Sequence, residues 1–97
     1  MIVNERQTPE GLLVAVCDSD VLGETFEDGE LSLTVTEEFY GGEEVDAQTV
    51  VDALSRATVA NIVGTESVRL AVEAGVVDEA NVLEIESTLH AQMLRLY

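Results

Sequence analysis

The sequence predicts an α+β fold: a small antiparallel sheet of three to four strands packed by a helical layer, in a single domain of 97 residues. Three patterns carry that expectation. Leu12 to Cys17 is a continuous apolar run of strand length, as in a strand covered on both faces. Leu31, Leu33 and Val35 alternate with Ser32, Thr34 and Thr36, the period-two mark of a strand with one wet face. From Ala57 to Gly75, apolar residues fall at Val59, Ile62 and Val63 and again at Val68, Ala71 and Val72, the i, i+3, i+4 spacing of a buried helical stripe. With Gly64 between its halves, that stretch reads as helix, tight turn, helix, and as the packing centre. Residues 1–42 are then mainly β, 46–75 helical, and 76–97 a short strand and a C-terminal helix.

Taken in order, Ile2 to Gln7 reads as an edge strand, closed by Thr8-Pro9-Glu10-Gly11 with Pro at i+1 and Gly at i+3 of a turn. A hairpin into the Leu12 strand follows. Asp18, Ser19 and Asp20 end that strand by bonding nearby amides and lead into a short turn at Val21-Leu22-Gly23. Asp28-Gly29 is a turn signal ahead of the Leu31 strand. Phe39-Tyr40-Gly41-Gly42 ends a continuation of that strand or begins a loop. Asp46 suits the N-cap of a helix to about Arg56, with Val50, Val51 and Leu54 buried and Arg56 favoured at its C-terminal end by the macrodipole.

Thr65 suits the N-cap of the next helix, and Gly75 its C′ position, with Val76 and Val77 folded back in a Schellman-type ending. Asp78 to Asn81 reads as a turn or 3₁₀ piece, and Val82 to Ile85 as a last strand. Ser87 or Thr88 then caps a final helix in which Leu89, Met93 and Leu96 share a face.

The charge balance is extreme. Twenty acidic side chains face 4 basic ones, all arginine, for a net charge of -16. A hydrophobic content of 46% excludes a disordered acidic tail, since that much apolar surface offsets the entropy of ordering. The charge has two readings: a functional surface that mimics nucleic acid or holds cations, or adaptation to molar salt, where the Debye length is about 3 Å. Even spacing of the acids and the absence of lysine favour the second. Met1 to Arg6 has neither the basic nor the apolar region of a signal peptide, and no apolar run reaches membrane-spanning length. The expected location is the cytoplasm, without membrane contact. Cys17 is the only cysteine, so neither a disulfide framework nor a Cys-rich zinc site is available.

No serine carries a nucleophile elbow, and Cys17, at the end of an apolar strand, reads as a core thiol. His90 stands without spaced ligand partners, and reads as a surface or half-buried histidine. Acid pairs such as Asp18 and Asp20 lack EF-hand spacing, and the glycines form neither a Walker loop nor a dinucleotide fingerprint. The sequence therefore assigns no catalytic residue, no metal site and no cofactor. Two features keep functional weight. Phe39-Tyr40-Gly41-Gly42 offers aromatics that stack bases if exposed, or anchor the core if not. The turn at Gly64 is loosely like a helix-hairpin-helix whose amides and following helix N-terminus face a phosphate, beside the plainer reading of helix packing.

Cys17-Asp18 with Leu22-Gly23, then Phe39-Tyr40-Gly41-Gly42, Ala57 to Gly64, Ala71 with Gly75, and His90-Ala91-Gln92 together resemble the small archaeal family catalogued as domain of unknown function 424. The resemblance runs from about Leu13 to Gln92. It implies an archaeal cytoplasmic protein, haloarchaeal given the acidic composition, in an RNA or translation context, and it carries no established activity. The residues it marks for a shared site are Phe39, Tyr40, Gly41, Gly42, Asn61, Gly64 and His90. The missing lysines and a longer hydrophobic C-terminus depart from the pattern and speak against a basic RNA-contacting face.

The expected function is a non-enzymatic binding module acting on RNA or a ribosome- or translation-associated protein. Two alternatives stand beside it: a structural protein that homodimerises through the C-terminal helix of Leu89, Met93, Leu96 and Tyr97, and a small enzyme using Cys17 and His90. Asn61 either caps the turn at Gly64 or faces solvent beside Phe39 and Tyr40.

Overall fold

The computed structural model describes residues 1–95. It is an α+β structure with a larger and less regular sheet than the sequence predicts. Strand β1 (Ile2–Thr8) pairs antiparallel with β2 (Gly11–Cys17) through the expected Thr8-to-Gly11 hairpin. A 3₁₀ turn at Ser19–Val21 leads to β3 (Thr25–Asp28) and β4 (Leu31–Thr34), which form their own two-stranded sheet across the Asp28-Gly29 turn. Phe39 and Tyr40 belong to neither strand nor loop but to a one-turn helix, α1 (Glu37–Tyr40), capped by the Thr36 hydroxyl. Then come β5 (Glu43–Glu44), α2 (Ala47–Arg56), β6 (Val59–Val63), α3 (Thr65–Glu73), a 3₁₀ turn at Glu79–Asn81, β7 (Leu83–Ile85) and β8 (Thr88–Leu94).

The main sheet has six strands in the order β5-β1-β2-β6-β8-β7. It is not wholly antiparallel: β2 and β6 run parallel at its centre. The first half of the expected helical pair, Ala57 to Val63, is therefore a strand. Ala60 and Ile62 point into the core under the helices while Val59, Asn61 and Val63 point to the opposite face. A strand buried on both faces places apolar residues at most positions, and such a run also satisfies a helical spacing. The expected C-terminal helix is β8, in which Leu89, Ala91 and Met93 face the helices and His90, Gln92 and Leu94 face away. Leu96 and Tyr97 of the expected dimer face lie outside the described residues.

Helices α2 and α3 close one side of the sheet over Val14, Val16, Ala60, Ile62 and Ala91. The β3–β4 hairpin and α1 close part of the other over Ile2, Ala15, Cys17 and Val63. Asp46 caps α2 as expected, accepting from the Thr49 amide at 2.9 Å. The Schellman ending of α3 is also present, with the Val76 amide donating to Ala71 O and the Gly75 amide to Val72 O at a Gly75 φ of 76°.

Candidate functional site

Gly64 joins β6 to α3, and its role is set by a residue 46 positions earlier in the chain. Asp18, at the end of β2, turns its carboxylate onto the first turn of α3, accepting from the Glu66 amide at 3.1 Å, the Ser67 amide at 2.8 Å and the Ser67 hydroxyl at 2.6 Å. Thr65 is thus the first residue of α3 and not its cap. Gly64 takes φ 119°, and a Cβ there would land on the Asp18 carboxylate. The Glu66 and Ser67 amides at this helix start already bond Asp18, so the turn expected from sequence to face a phosphate carries a carboxylate of the protein's own.

The aromatic-glycine segment is held by β1. Asn4 donates its side-chain amide to Gly41 O at 2.6 Å, and Arg6 donates to Glu38 O at 2.7 Å and to the Asn4 carbonyl. The Arg6 guanidinium also lies 5.2 Å from the Phe39 ring centroid, a cation–π geometry. Phe39 is half-buried and packs edge-on against Tyr40, which is buried and whose hydroxyl is pushed up to about 12 by desolvation first and by Cys17 second. Gly41 and Gly42 let the backbone approach Glu37 O and Val3 O, where a side chain would collide. Tyr40, Gly41 and Gly42 are therefore packing residues; Phe39 alone of this group meets solvent as an aromatic.

Asn61 does not cap the Gly64 turn. Its side-chain carbonyl accepts from Gln92 Nε2 at 2.9 Å across the β6–β8 pair, on the face away from the helices. Register places three rows on this face, because cross-strand partners point the same way. One row runs Ile2, Cys17, Val63, His90 and Leu83; the next Asn4, Ala15, Asn61 and Gln92; the last Arg6, Leu13, Val59 and Leu94. Residues Ile2, Cys17 and Val63 of the first row lie under the hairpin and α1. The last row is uncovered among the described residues: Leu13 and Val59 are half-buried and Leu94 is 63% exposed. With Thr8, Glu10, Thr58 and Arg95 they border a shallow cavity of about 550 Å³.

Phe39, Asn61 and His90 thus share one face, while Gly64 sits apart at the strand end. Sequence reading missed Asn4, Arg6, Gln92 and Leu94; the period-two alternation from Thr88 to Leu94 was the available signal for the last two. Cys17 and His90 are separated by Val63, two strand spacings or about 10 Å at the backbone. The thiol is fully buried and pushed up to about 11, by desolvation first and by Asp18 next, and burial lowers His90 from its ordinary range. Among the described residues no group of three or more His, Cys, Asp or Glu side chains is placed to share a metal ion, and no helix is long and apolar enough to cross a membrane.

Two helices on one side of a mixed six-stranded sheet, with the other side half open, define a small layered α+β protein. Residues 5–96 match the family described as Protein of unknown function (DUF424), and the chain belongs to that family. The fold is also that of an uncharacterized conserved protein from Methanopyrus kandleri, whose crystal structure superposes with a TM-score of 0.78 at 24% identity, over 99% of this chain and 94% of that one. No curated protein matches the chain.

Proposed function

We propose that this chain is a non-enzymatic binding module that docks a protein of the translation apparatus on the open half of its sheet. The observation that carries this reading is the uncovered row of Leu13, Val59 and Leu94 beside the Asn61–Gln92 amide pair. Contiguous apolar surface rimmed by polar groups is the usual anatomy of a protein contact. The translation setting comes from the family resemblance.

A protein partner suits this face better than RNA. Phosphate recognition rests on free basic groups, whereas Arg6 is engaged with Glu38 O and the Phe39 ring, and Arg95 with Ser55 O and Ala57 O. Sedimentation with archaeal ribosomes in molar potassium chloride tests the reading. Wild-type protein is expected to pellet with intact ribosomes and not with protein-free ribosomal RNA, and Leu94→Glu to stay in the supernatant. Equal pelleting of both proteins would discard this face, and binding to the bare RNA would replace the protein partner by RNA.

A further inference from the structure

We infer that a second groove, on the helix side of the sheet between α3 and β7, docks a basic, leucine-bearing segment of a partner protein. The groove follows from topology. Helix α2 packs over β1 and β2, and α3 over β6 and β8, so among the described residues β7, the strand beyond β8, has no helix above it. Glu84 of β7 lies opposite Leu89 of β8, and both point to the helix side. Val68 and Val72 of α3, Val82 and Leu89 line a cavity of about 500 Å³, and Glu73, Glu79, Glu84 and Arg69 border it. Val68 is fully buried, but Val72, Val82 and Leu89 remain half-buried, as side chains do where a covering element is missing.

Charge selects the occupant. The rim sets three carboxylates against one guanidinium, and all four side chains are exposed. A second copy of this chain has only four arginines to offer the glutamates, and Arg6, Arg56 and Arg95 are already bonded within the protein. A segment in which arginine or lysine alternates with leucine fits both features. Its leucines cover Val72, Val82 and Leu89, its aliphatic stems lie along the groove walls, and its charged heads reach the glutamates. In molar salt the Debye length is about 3 Å, so only charges in contact contribute and the acidic surface elsewhere does not compete. The groove lies on the opposite side of the sheet from Leu94, and this inference stands independently of the ribosome-binding reading.

The probe is a synthetic ten-residue peptide of alternating arginine and leucine, titrated into ¹⁵N-labelled protein in molar potassium chloride. Saturable shifts are expected at the amides of Val68, Val72, Val82 and Leu89. The exposed double variant Glu73→Gln/Glu84→Gln should weaken binding about twofold to thirtyfold, two surface pairs at roughly 0.2–1 kcal/mol each. The charge-matched Glu24→Gln/Glu30→Gln, away from the groove, should leave affinity unchanged. Equal binding of a peptide with serine in place of leucine would overturn the inference, since that reports only attraction to acid. So would shifts centred on the Leu94 face, equal loss in both double variants, or no saturable shift.

Discussion

Removing the Asp18 carboxylate tests the junction between the sheet and α3. Asp18→Ala leaves the buried Ser67 hydroxyl without its acceptor, at about 1–3 kcal/mol. It also removes the cap from the Glu66 and Ser67 amides, at about 1 kcal/mol. The expected loss is about 2–4 kcal/mol, the sum of those two effects. Gly64→Ala attacks the same place from the other side: its Cβ strikes the carboxylate, and an alanine at φ 119° adds strain of about 1–3 kcal/mol. Part of that second cost is the eviction of Asp18, which is already absent in the double variant. The pair should therefore cost less than the two single losses together, by about 1–2 kcal/mol, as coupled neighbours do. Urea unfolding at one fixed molar concentration of potassium chloride measures all four proteins, with the m-value checked for constancy. Losses that add to within about 0.5 kcal/mol would refute the argument, because only independent sites behave so.

Two other expectations concern half-buried His90 and buried Cys17. Burial lowers the pKa of His90 below its ordinary 6.5, so the fold favours the uncharged ring. Its contribution to stability is fully present above 6.5, falls as the pH drops through 6.5 toward the folded value, and levels off below that. His90→Gln should flatten this part of the pH dependence of the urea midpoint; identical profiles would contradict it. Cys17, buried and with its thiol near 11, should react with iodoacetamide at pH 8 about two orders of magnitude more slowly in the native protein than in urea, from thiolate population alone. Equal rates in the two states would remove it from the core.

What could be read from the chain was whatever local chemistry determines. The Thr8-to-Gly11 turn, the Asp46 cap and the Gly75 ending depend on residues within a few positions of each other, and the structure has all three. The strand read at Val82 to Ile85 is present as Leu83–Ile85 after the expected 3₁₀ turn, whereas the positive-φ turn at Glu86 that follows it had no local signal. Residues 57–63 were misread because Val59 on the open face, Ile62 under the helices and Val63 under the β3–β4 hairpin meet helical spacing by accident. Three β-branched residues among five were the contrary signal, outweighed by the periodicity. Residues 88–94 were misread because Leu89 and Met93 fit both a four-residue and a two-residue period. Ala91 between them decides for the strand, since it lies in the same core.

Those two errors together removed two interior strands from the expected sheet, and with them the open face itself. Asn61 and His90 were marked, but their shared face depends on β6 and β8 being neighbours. The Asp18 cap was invisible for another reason: Asp18 and Ser67 are 49 positions apart, and nothing in either local sequence announces the contact.

The parallel β2–β6 pair also bears on how the chain reaches its fold. The hairpins β1–β2, β3–β4 and β7–β8 each close over a short loop, but Leu12 and Thr58, which meet where β2 and β6 begin to run together, are 46 positions apart. Bringing those ends together costs loop-closure entropy before any contact repays it, which places the joining of the hairpins late and slow. Until β2 or β8 pairs with it, the segment 57–63 has no strand beside it, and its helix-like spacing leaves it free to sample helical turns. The same periodicity that disguises the central strand on paper then competes with it in solution, and unwinding those turns becomes part of the barrier to folding.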